Sequence, residues 1–164
     1  MSVETFIPLI GWVAGIVAAT AGDETVGTNT GIANWSSGKC IQSEEDSTKW
    51  DGIQMRVCNS ANEKQQYDYT LGGYIKQGEM ELITGNKDIK MYSVGSDRWD
   101  LLGAGSNTES GAEAVKNGPF RIKHTTQGGF IGMDDRTTGN NPIALRHHIP
   151  GDENDKSQIW IASG

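Results

Sequence analysis

A short pattern recurs three times along this chain of 164 residues. Each copy has an isoleucine followed two positions later by methionine or leucine, and each has an aromatic residue near its end: Tyr67, Trp99 or Trp160. The copies span residues 52–69, 88–101 and 142–162, with the cores Ile53-Gln54-Met55-Arg56, Ile89-Lys90-Met91-Tyr92 and Ile143-Ala144-Leu145-Arg146. A hairpin-sized unit cannot bury its own apolar face, so three copies are expected to close around a common core.

Composition supports an all-β fold for the repeat region. The chain has 22 glycines and only four prolines, a composition that favours many tight turns over long helices. Its net charge of -7 argues against a nucleic-acid partner, which normally requires a basic patch. We expect residues 35–164 to form one domain, preceded by an appendage over residues 1–34. The stretch 102–118, rich in Gly, Ser, Asn and Ala, is predicted to be an inserted surface loop.

Residues 5–22 contain no charged side chain. Bulky and small residues separate onto opposite faces at helical spacing, which predicts a hydrophobic α-helix followed by a Gly/Thr/Asn linker that ends at Asn34. The bulky face holds Phe6, Leu9, Ile10, Val13, Ile16 and Val17, and the small face holds Gly11, Ala14, Gly15, Ala18 and Gly22.

Several roles for this helix stay open. Ala19-Thr20-Ala21 resembles a signal-peptide cleavage site, but no Lys or Arg precedes the apolar run and Glu4 has the opposite sign. As a bilayer span it would reach only about 27 Å, the short limit for a membrane. The Gly11-x-x-x-Gly15 ridge allows close helix packing. We favour self-association through residues 5–22, membrane contact, or both; a helix that covers its own domain is the alternative.

Cys40 and Cys58 are the two cysteines of the chain. Each lies in or beside a predicted strand, and a hairpin would bring them together, so we predict a disulfide; two buried thiols are the alternative. A disulfide would favour an extracellular or secreted location. A cytoplasmic location stays open because the signal peptide is unconvincing.

The units resemble the repeats of the ricin B-type (R-type) lectins, in which Gly-Lys-Cys-Leu-Asp, Gln-Leu-x-x-Cys and Asn-Gln-x-Trp follow one another. The resemblance covers about 130 of the 164 residues and implies a β-trefoil, with six strands in a short barrel and six in a hairpin cap. It rests on Gly38-Lys39-Cys40-Ile41-Gln42, Gln54-Met55-Arg56-Val57-Cys58, Gln65-Gln66-Tyr67, the degenerate Asp97-Arg98-Trp99 and the complete Gln158-Ile159-Trp160.

The resemblance also implies a sugar site in one or more units. In the family an acid after the first strand binds sugar hydroxyls, an aromatic ring on the second strand stacks on the C–H face of the sugar, and an Asn or Gln completes the contacts. The first unit departs from this pattern, because it has Gln42 and Arg56 at these places. Asp46 or Trp50 of its loop could substitute.

The other two units keep more of the pattern. In the second, Tyr92 takes the place of the ring, with Asp97 close in sequence. In the third, either His147 or His148 supplies a flat ring. The other predicted carbohydrate-binding residues of this unit are Asp134, Asp135, Asn154 and Gln158. Adjacent histidines on a strand face opposite sides, so we expect no metal site, and no cofactor is expected.

No catalytic motif is present. The sequence has no Gly-x-Ser-x-Gly, no phosphate-binding glycine loop and no His-Glu-x-x-His, and we predict that the protein is not an enzyme. The predicted function is a lectin that binds glycans or glycoproteins, with multivalency or membrane contact supplied by the helix; a lectin toxin is one variant. The alternatives are a β-trefoil protease inhibitor and a structural subunit of a larger assembly.

Overall fold

A computed structural model describes residues 24–44, 46–50, 52–93, 95, 97–134 and 143–163. Within these residues the chain forms twelve β-strands and one short α-helix. They are β1 (Thr25–Asn34), β2 (Cys40–Ser43), β3 (Ile53–Arg56), β4 (Gln66–Thr70), β5 (Ile75–Gln77), β6 (Met80–Gly85), β7 (Asp88–Tyr92), β8 (Trp99–Gly103), α1 (Gly111–Asn117), β9 (Phe120–His124), β10 (Phe130–Met133), β11 (Leu145–His148) and β12 (Trp160–Ser163).

The strands form three units of four: β1–β4, β5–β8 and β9–β12. Six of them make a barrel through the antiparallel pairings β8–β9, β9–β12, β12–β1, β1–β4 and β4–β5. Between β5 and β8, the N–H of Trp99 donates to the carbonyl of Gly73 at 2.7 Å. The remaining strands pair as the hairpins β2–β3, β6–β7 and β10–β11, which form the cap. This is the arrangement of a β-trefoil.

The cap hairpins are joined to one another by backbone hydrogen bonds that follow the threefold repeat. In each unit an N–H on the second cap strand donates to a carbonyl of a neighbouring unit. The bonds run from Met55 to Ile143 (2.8 Å), from Met91 to Ser47 (2.9 Å) and from His147 to Lys87 (2.7 Å). These bonds define Met55, Met91 and His147 as equivalent positions of the three units.

This equivalence corrects the third copy of the sequence motif. Leu145, rather than Ile143, stands at the level of Ile53 and Ile89, and all three of these equivalent side chains are fully buried. The pairing of β10 with β11 sets the register and brings His147 to the level that holds methionine in the other units. The sequence motif placed the third copy two residues too early. Side chains alternate between the two faces of a strand, so Ile143 and Leu145 both fit the apolar alternation.

Three aromatic residues close the core beneath the cap. Tyr67, Trp99 and Trp160 occupy equivalent places at the ends of the units and are buried, as predicted. The indole N–H groups of the two tryptophans donate to carbonyls of the first cap strands, at 3.1 Å to Leu82 and 2.9 Å to Ile131. Each indole therefore fastens a cap hairpin to its barrel while its ring fills the interior.

The stretch Thr25–Asn34 is strand β1 of the barrel and not the linker that its Gly, Thr and Asn content predicted. Its β-branched residues favour an extended chain. Gly31 is needed here because a Cβ at this position would lie 2.6 Å from the carbonyl oxygen of Ser163 on β12. The barrel therefore begins ten residues earlier than expected. The predicted helix, with Phe6, Ile10, Gly11, Val13, Gly15 and Val17, lies outside the described residues.

The predicted surface loop 102–118 is folded against the barrel and contains α1. Ala114 of this helix is fully buried. The amide of Asn107 donates to the carbonyls of Ala114 and Pro119, at 2.8 and 2.9 Å, and so holds the segment closed. In the part of the chain that the structure describes, no helix is long and apolar enough to cross a membrane.

The predicted disulfide is present and joins Cys40 on β2 to Cys58, just beyond β3. It ties the two strands of the first cap hairpin together, and it uses both cysteines of the chain. This bond is compatible with an extracellular location.

We predict that Ile89→Ala lowers the free energy of unfolding by about 3 kcal/mol, since it leaves a cavity in the layer shared by the three units. Val57→Ala is the matched control, because Val57 is 78% exposed and its truncation should change stability by less than about 0.5 kcal/mol. Urea unfolding followed by tryptophan fluorescence measures both. Equal losses of unfolding free energy in the two variants would contradict a core shared by the three units.

We also predict that replacing Cys40 and Cys58 together by alanine lowers the free energy of unfolding by about 3 kcal/mol, because the bridge closes a loop with a sequence separation of 18. Urea midpoints with and without a reductant test this. The reductant should destabilise the natural protein and leave the double variant unchanged. No effect of the reductant on the natural protein would show that the bridge contributes nothing.

Candidate functional site

The sugar sites implied by the sequence map to the outer face of each cap hairpin, where strand register defines equivalent positions. The ring position, one residue beyond the Met55 level, holds Arg56, Tyr92 and His148. The acid position, on the first strand of each hairpin, holds Gln42, Ile83 and Gly132. None of these three residues is acidic. Two residues further along the chain, the units carry Glu44, Gly85 and Asp134.

In the first unit the side chains at these positions contact one another. The amide oxygen of Gln42 accepts from Gln65 at 2.9 Å and from Asn62 at 3.1 Å, and its nitrogen donates to Glu44 at 3.1 Å. Arg56, at the ring position, forms an ion pair with Glu44. A sugar would have to break these contacts, so the first unit is the poorest candidate.

The third unit keeps an acid and a flat ring near each other. Asp134 is 7% exposed and follows β10. The ring nitrogen Nε2 of His148 lies 2.7 Å from the carbonyl of Met133. A Cβ at Gly132 would lie 2.7 Å from Gln158 and 3.0 Å from His148, so these two side chains cover the acid position of the unit. Of the two histidines proposed for the ring, the register selects His148.

Of the other residues predicted for the third unit, Gln158 belongs to the buried framework and Asn154 lies at the surface. Gln158 is buried; its amide oxygen accepts from the N–H of Asp152 at 2.9 Å and its nitrogen donates to Asp155 at 3.3 Å. Asn154 is exposed. Burial opposes ionisation of Asp155, but the hydroxyl and N–H of Ser157 outweigh it and lower the pKa of Asp155. Asp135 lies outside the described residues.

His147 lies in the core and not on the cap face. Its ring has no exposed surface and stacks on His124, with centroids 5.3 Å apart. Its Nε2 lies 2.7 Å from the carbonyl of Gly128, and its Nδ1 lies 3.4 Å from the hydroxyl of Thr84. Neither face of the ring is open to a ligand, which argues against the predicted stacking role.

Asp97 belongs to the same buried cluster. One carboxylate oxygen lies 2.8 Å from Nε2 of His124, and the other accepts from the N–H of Thr84 at 2.8 Å. The Nδ1 of His124 accepts from the N–H of Gln127 at 3.1 Å, which leaves its proton on Nε2, toward Asp97. Trp99 meets the His124 ring edge to face at 5.0 Å. Asp97 thus links the second and third units, and both of its carboxylate oxygens already have partners within the protein. Its predicted sugar contact stays a prediction.

The second unit presents aromatic surface. Tyr92, at the ring position, and Trp50 are each 43% exposed. The ammonium of Lys90 lies between them, 4.3 Å from the centroid of the Trp50 ring and 4.9 Å from that of Tyr92. Trp50 comes from the loop of the first unit and packs against Gly85, where a Cβ would lie 2.9 Å from the indole. We call Trp50, Lys90 and Tyr92 the aromatic face.

The sequence indicated Trp50 only as a substitute sugar-binding residue within the first unit. Its true position follows from the length of the β2–β3 loop, which is far longer than the Asn86-Lys87 turn of the second unit. The N–H of Met91 donates to the carbonyl of Ser47 and anchors that loop beside β7. The loop length was the signal that could have indicated a contact between units.

The protein also has a cavity of about 310 Å³, partly open to solvent, between the barrel strands and α1. All its lining residues belong to barrel strands or to α1, and most of the surface is apolar, with contributions from Ile32, Tyr69, Leu101, Val115 and Phe120. The cavity is separate from the cap faces. Within the described ranges, no three His, Cys, Asp or Glu side chains are arranged to hold a metal ion.

Comparison with known proteins supports the fold. The designed threefold-symmetric protein ThreeFoil aligns with a TM-score of 0.59 and 16% identity over 82% of this chain and 97% of its own. The Rhizoctonia solani agglutinin aligns at 0.56 and 12%, over 90% and 98%. SeviL, solved with asialo-GM1 saccharide, aligns at 0.55 and 15%, over 85% and 98%. These similarities confirm the predicted β-trefoil. No family model and no curated protein matches the chain.

We predict that the protein loses stability as the pH falls below about 6.5. Burial lowers the pKa of His147 beneath its ordinary value. On acidification the unfolded chain therefore takes up this proton before the folded protein does, and stability declines by at most about 1.4 kcal/mol per pH unit. Urea midpoints at pH 7.5 and pH 5 measure the decline.

The matched variant is His147→Met, which restores the residue type of the other two units at this level. It should retain more of its stability at pH 5 than the natural protein does. Parallel declines in the two proteins would assign the acid sensitivity to other groups.

Proposed function

We propose that this protein is a carbohydrate-binding lectin and that the aromatic face is its principal sugar site. The observation that carries the proposal is the pair of exposed rings, Trp50 and Tyr92, with Tyr92 at the ring position of a trefoil unit. The fold is shared with an agglutinin and with a protein solved with a bound saccharide, which supports a carbohydrate-binding role.

The chemistry of a sugar fits this surface. A pyranose has an apolar C–H face that an aromatic ring can cover, while its hydroxyls remain at the solvent edge. Trp50 and Tyr92 are held by their neighbours and lose little conformational freedom on binding. The first unit offers no comparable surface, since Arg56 and Gln42 are bound within the protein.

The third unit is proposed as a second, weaker site. Asp134 and His148 lie on the same face of the β10–β11 hairpin, with exposed Asn154 nearby in the chain and Asp135 following Asp134. A sugar here would contact the edge of the imidazole, its hydroxyls would donate hydrogen bonds to the carboxylates, and the amide would complete the polar contacts.

Multivalency is the proposed role of residues 5–22. A single shallow sugar site binds weakly, and self-association of the hydrophobic segment, or its contact with a membrane, would raise avidity by about two to four orders of magnitude. We propose glycans or glycoproteins outside the cell as partners, in keeping with the disulfide. The protease-inhibitor alternative loses its main support, because Asn107 ties the inserted segment to the barrel.

We predict that an array of neutral and acidic glycans detects binding by the full-length protein, and that Tyr92→Ala lowers the affinity for the bound glycans about tenfold through the loss of stacking. Tyr92→Phe is the matched control, since it keeps the ring and should retain most of the affinity. Trp50→Ala should weaken the same glycans.

Asp134→Asn tests the third unit in the same assay. Binding that survives both alanine substitutions and is lost in Asp134→Asn would move the principal site to the third unit. The absence of binding to every glycan by the folded full-length protein would reject the lectin proposal.

A further inference from the structure

We propose that the aromatic face selects acidic glycans, with the Lys90 ammonium contacting a carboxylate or sulfate group while Trp50 and Tyr92 cover the adjoining sugar ring. The proposal rests on the lectin function given above and adds the class of ligand. Carboxylate and sulfate share the chemistry that an ammonium recognises, an anionic group with several acceptor oxygens.

The acid position of the second unit holds no acid and lies opposite a positive side chain. A neutral sugar is held there by a carboxylate that accepts from its hydroxyls, as the family resemblance implies. In the second unit the position holds Ile83, and its cross-strand partner is Lys90. Partners in an antiparallel pair project from the same face of the hairpin. The Lys90 ammonium therefore lies where a carboxylate would be needed to bind the hydroxyls of a neutral sugar. Its positive charge complements an anionic ligand instead.

Lys90 is already held in place by the two aromatic rings. Its ammonium contacts two ring faces, at 4.3 and 4.9 Å from their centroids, and both rings attract the cation through their π electrons. A lysine on the surface normally loses rotamer freedom when it pairs with a ligand. Here the rings have already removed much of that freedom, so the ammonium can bind an anion at a smaller entropic cost.

The charged side chains around the aromatic face decide whether Lys90 can bind a ligand. In the described part of the chain Lys90 forms no ion pair, whereas the nearby Asp46 is matched by Lys49, with 3.8 Å between ammonium and carboxylate. Asp88, at the start of β7, is the cross-strand partner of Arg146. Each of these carboxylates has a positive neighbour other than Lys90. Glu81, the cross-strand partner of Tyr92, is a third acid on the face of Lys90, and the described residues show no ion pair between the two. The ammonium of Lys90 thus remains available to a ligand although the whole chain carries a net charge of -7.

The aromatic face is built from two units of the trefoil. Trp50 is supplied by the first unit and Tyr92 by the second, and the hydrogen bond from Met91 to Ser47 fixes the loop of one beside the strand of the other. Two rings with a cation between them form a site wider than one stacking residue provides. Such a site suits a sugar that carries its charge on a substituent beside the ring, because ring and substituent are contacted at once.

The test uses matched glycans that share a lactose terminus and differ in one group: unmodified, sialylated, or sulfated. The full-length protein, Lys90→Gln, Lys90→Arg and Lys39→Gln are compared by titration. Lys39→Gln is the control, because Lys39 is exposed and its loss changes the net charge equally. We expect an acidic member to bind more tightly than lactose, and Lys90→Gln to lower that affinity about tenfold, the loss expected for a charge-assisted hydrogen bond. Lys90→Arg should retain most of it.

The outcomes separate this inference from the lectin function. Acidic binding lost in Lys90→Gln and kept in Lys39→Gln supports the inference, and the better of the two acidic members identifies carboxylate or sulfate. Tighter binding of lactose, or an equal response to the two glutamine variants, overturns the inference and leaves the lectin function standing. No binding of any member, in a full-length protein that also binds nothing on the wider array, rejects both.

Discussion

The structure depends on the burial of one layer of side chains that no single unit can cover by itself. Ile53, Ile89 and Leu145 meet at this layer, each on the second strand of a cap hairpin. A lone hairpin would expose this face to water at a cost of roughly 25 cal/mol per Å² of apolar surface, so the hairpins are stable only as a set. The buried indoles of Trp99 and Trp160 extend the layer into the barrel, and their N–H groups bind the cap.

Within this symmetric frame the polar residues are asymmetric. The units use equivalent positions of their cap hairpins differently. At the ring position the first unit has Arg56, paired with Glu44, whereas the second has exposed Tyr92. At the core-facing position one residue earlier, the third unit buries His147 where the other two have methionine. A buried histidine requires partners, which Gly128 and Thr84 supply. The outer faces are therefore free to diverge while the aliphatic layer is retained, since function and packing use opposite sides of the same strands.

The β-trefoil could be predicted because the threefold repeat, the cysteine pair and Gln158-Ile159-Trp160 together resemble the ricin B-type repeats, and because the repeated apolar spacing reflects the buried layer. The register of the third unit could not, because Ile143 and Leu145 satisfy the same alternation and only strand pairing decides between them. Strand β1 was missed because glycines that permit a close approach to Ser163 resemble linker residues in a sequence. His147 was assigned to the surface, and the contact of Asp97 with His124 was missed, because burial and contacts depend on neighbours from distant parts of the chain.

The position of Trp50 has a consequence for how such a protein changes through evolution. Duplication copies whole repeats, but the aromatic face takes Trp50 from one repeat and Tyr92 from the next. A duplicated second repeat would carry only part of the face, and its ligand specificity would depend on whichever loop came to precede it. Recognition is thus a property of the boundary between repeats, and an exchange of neighbours would change it without altering any residue of Asp88–Tyr92.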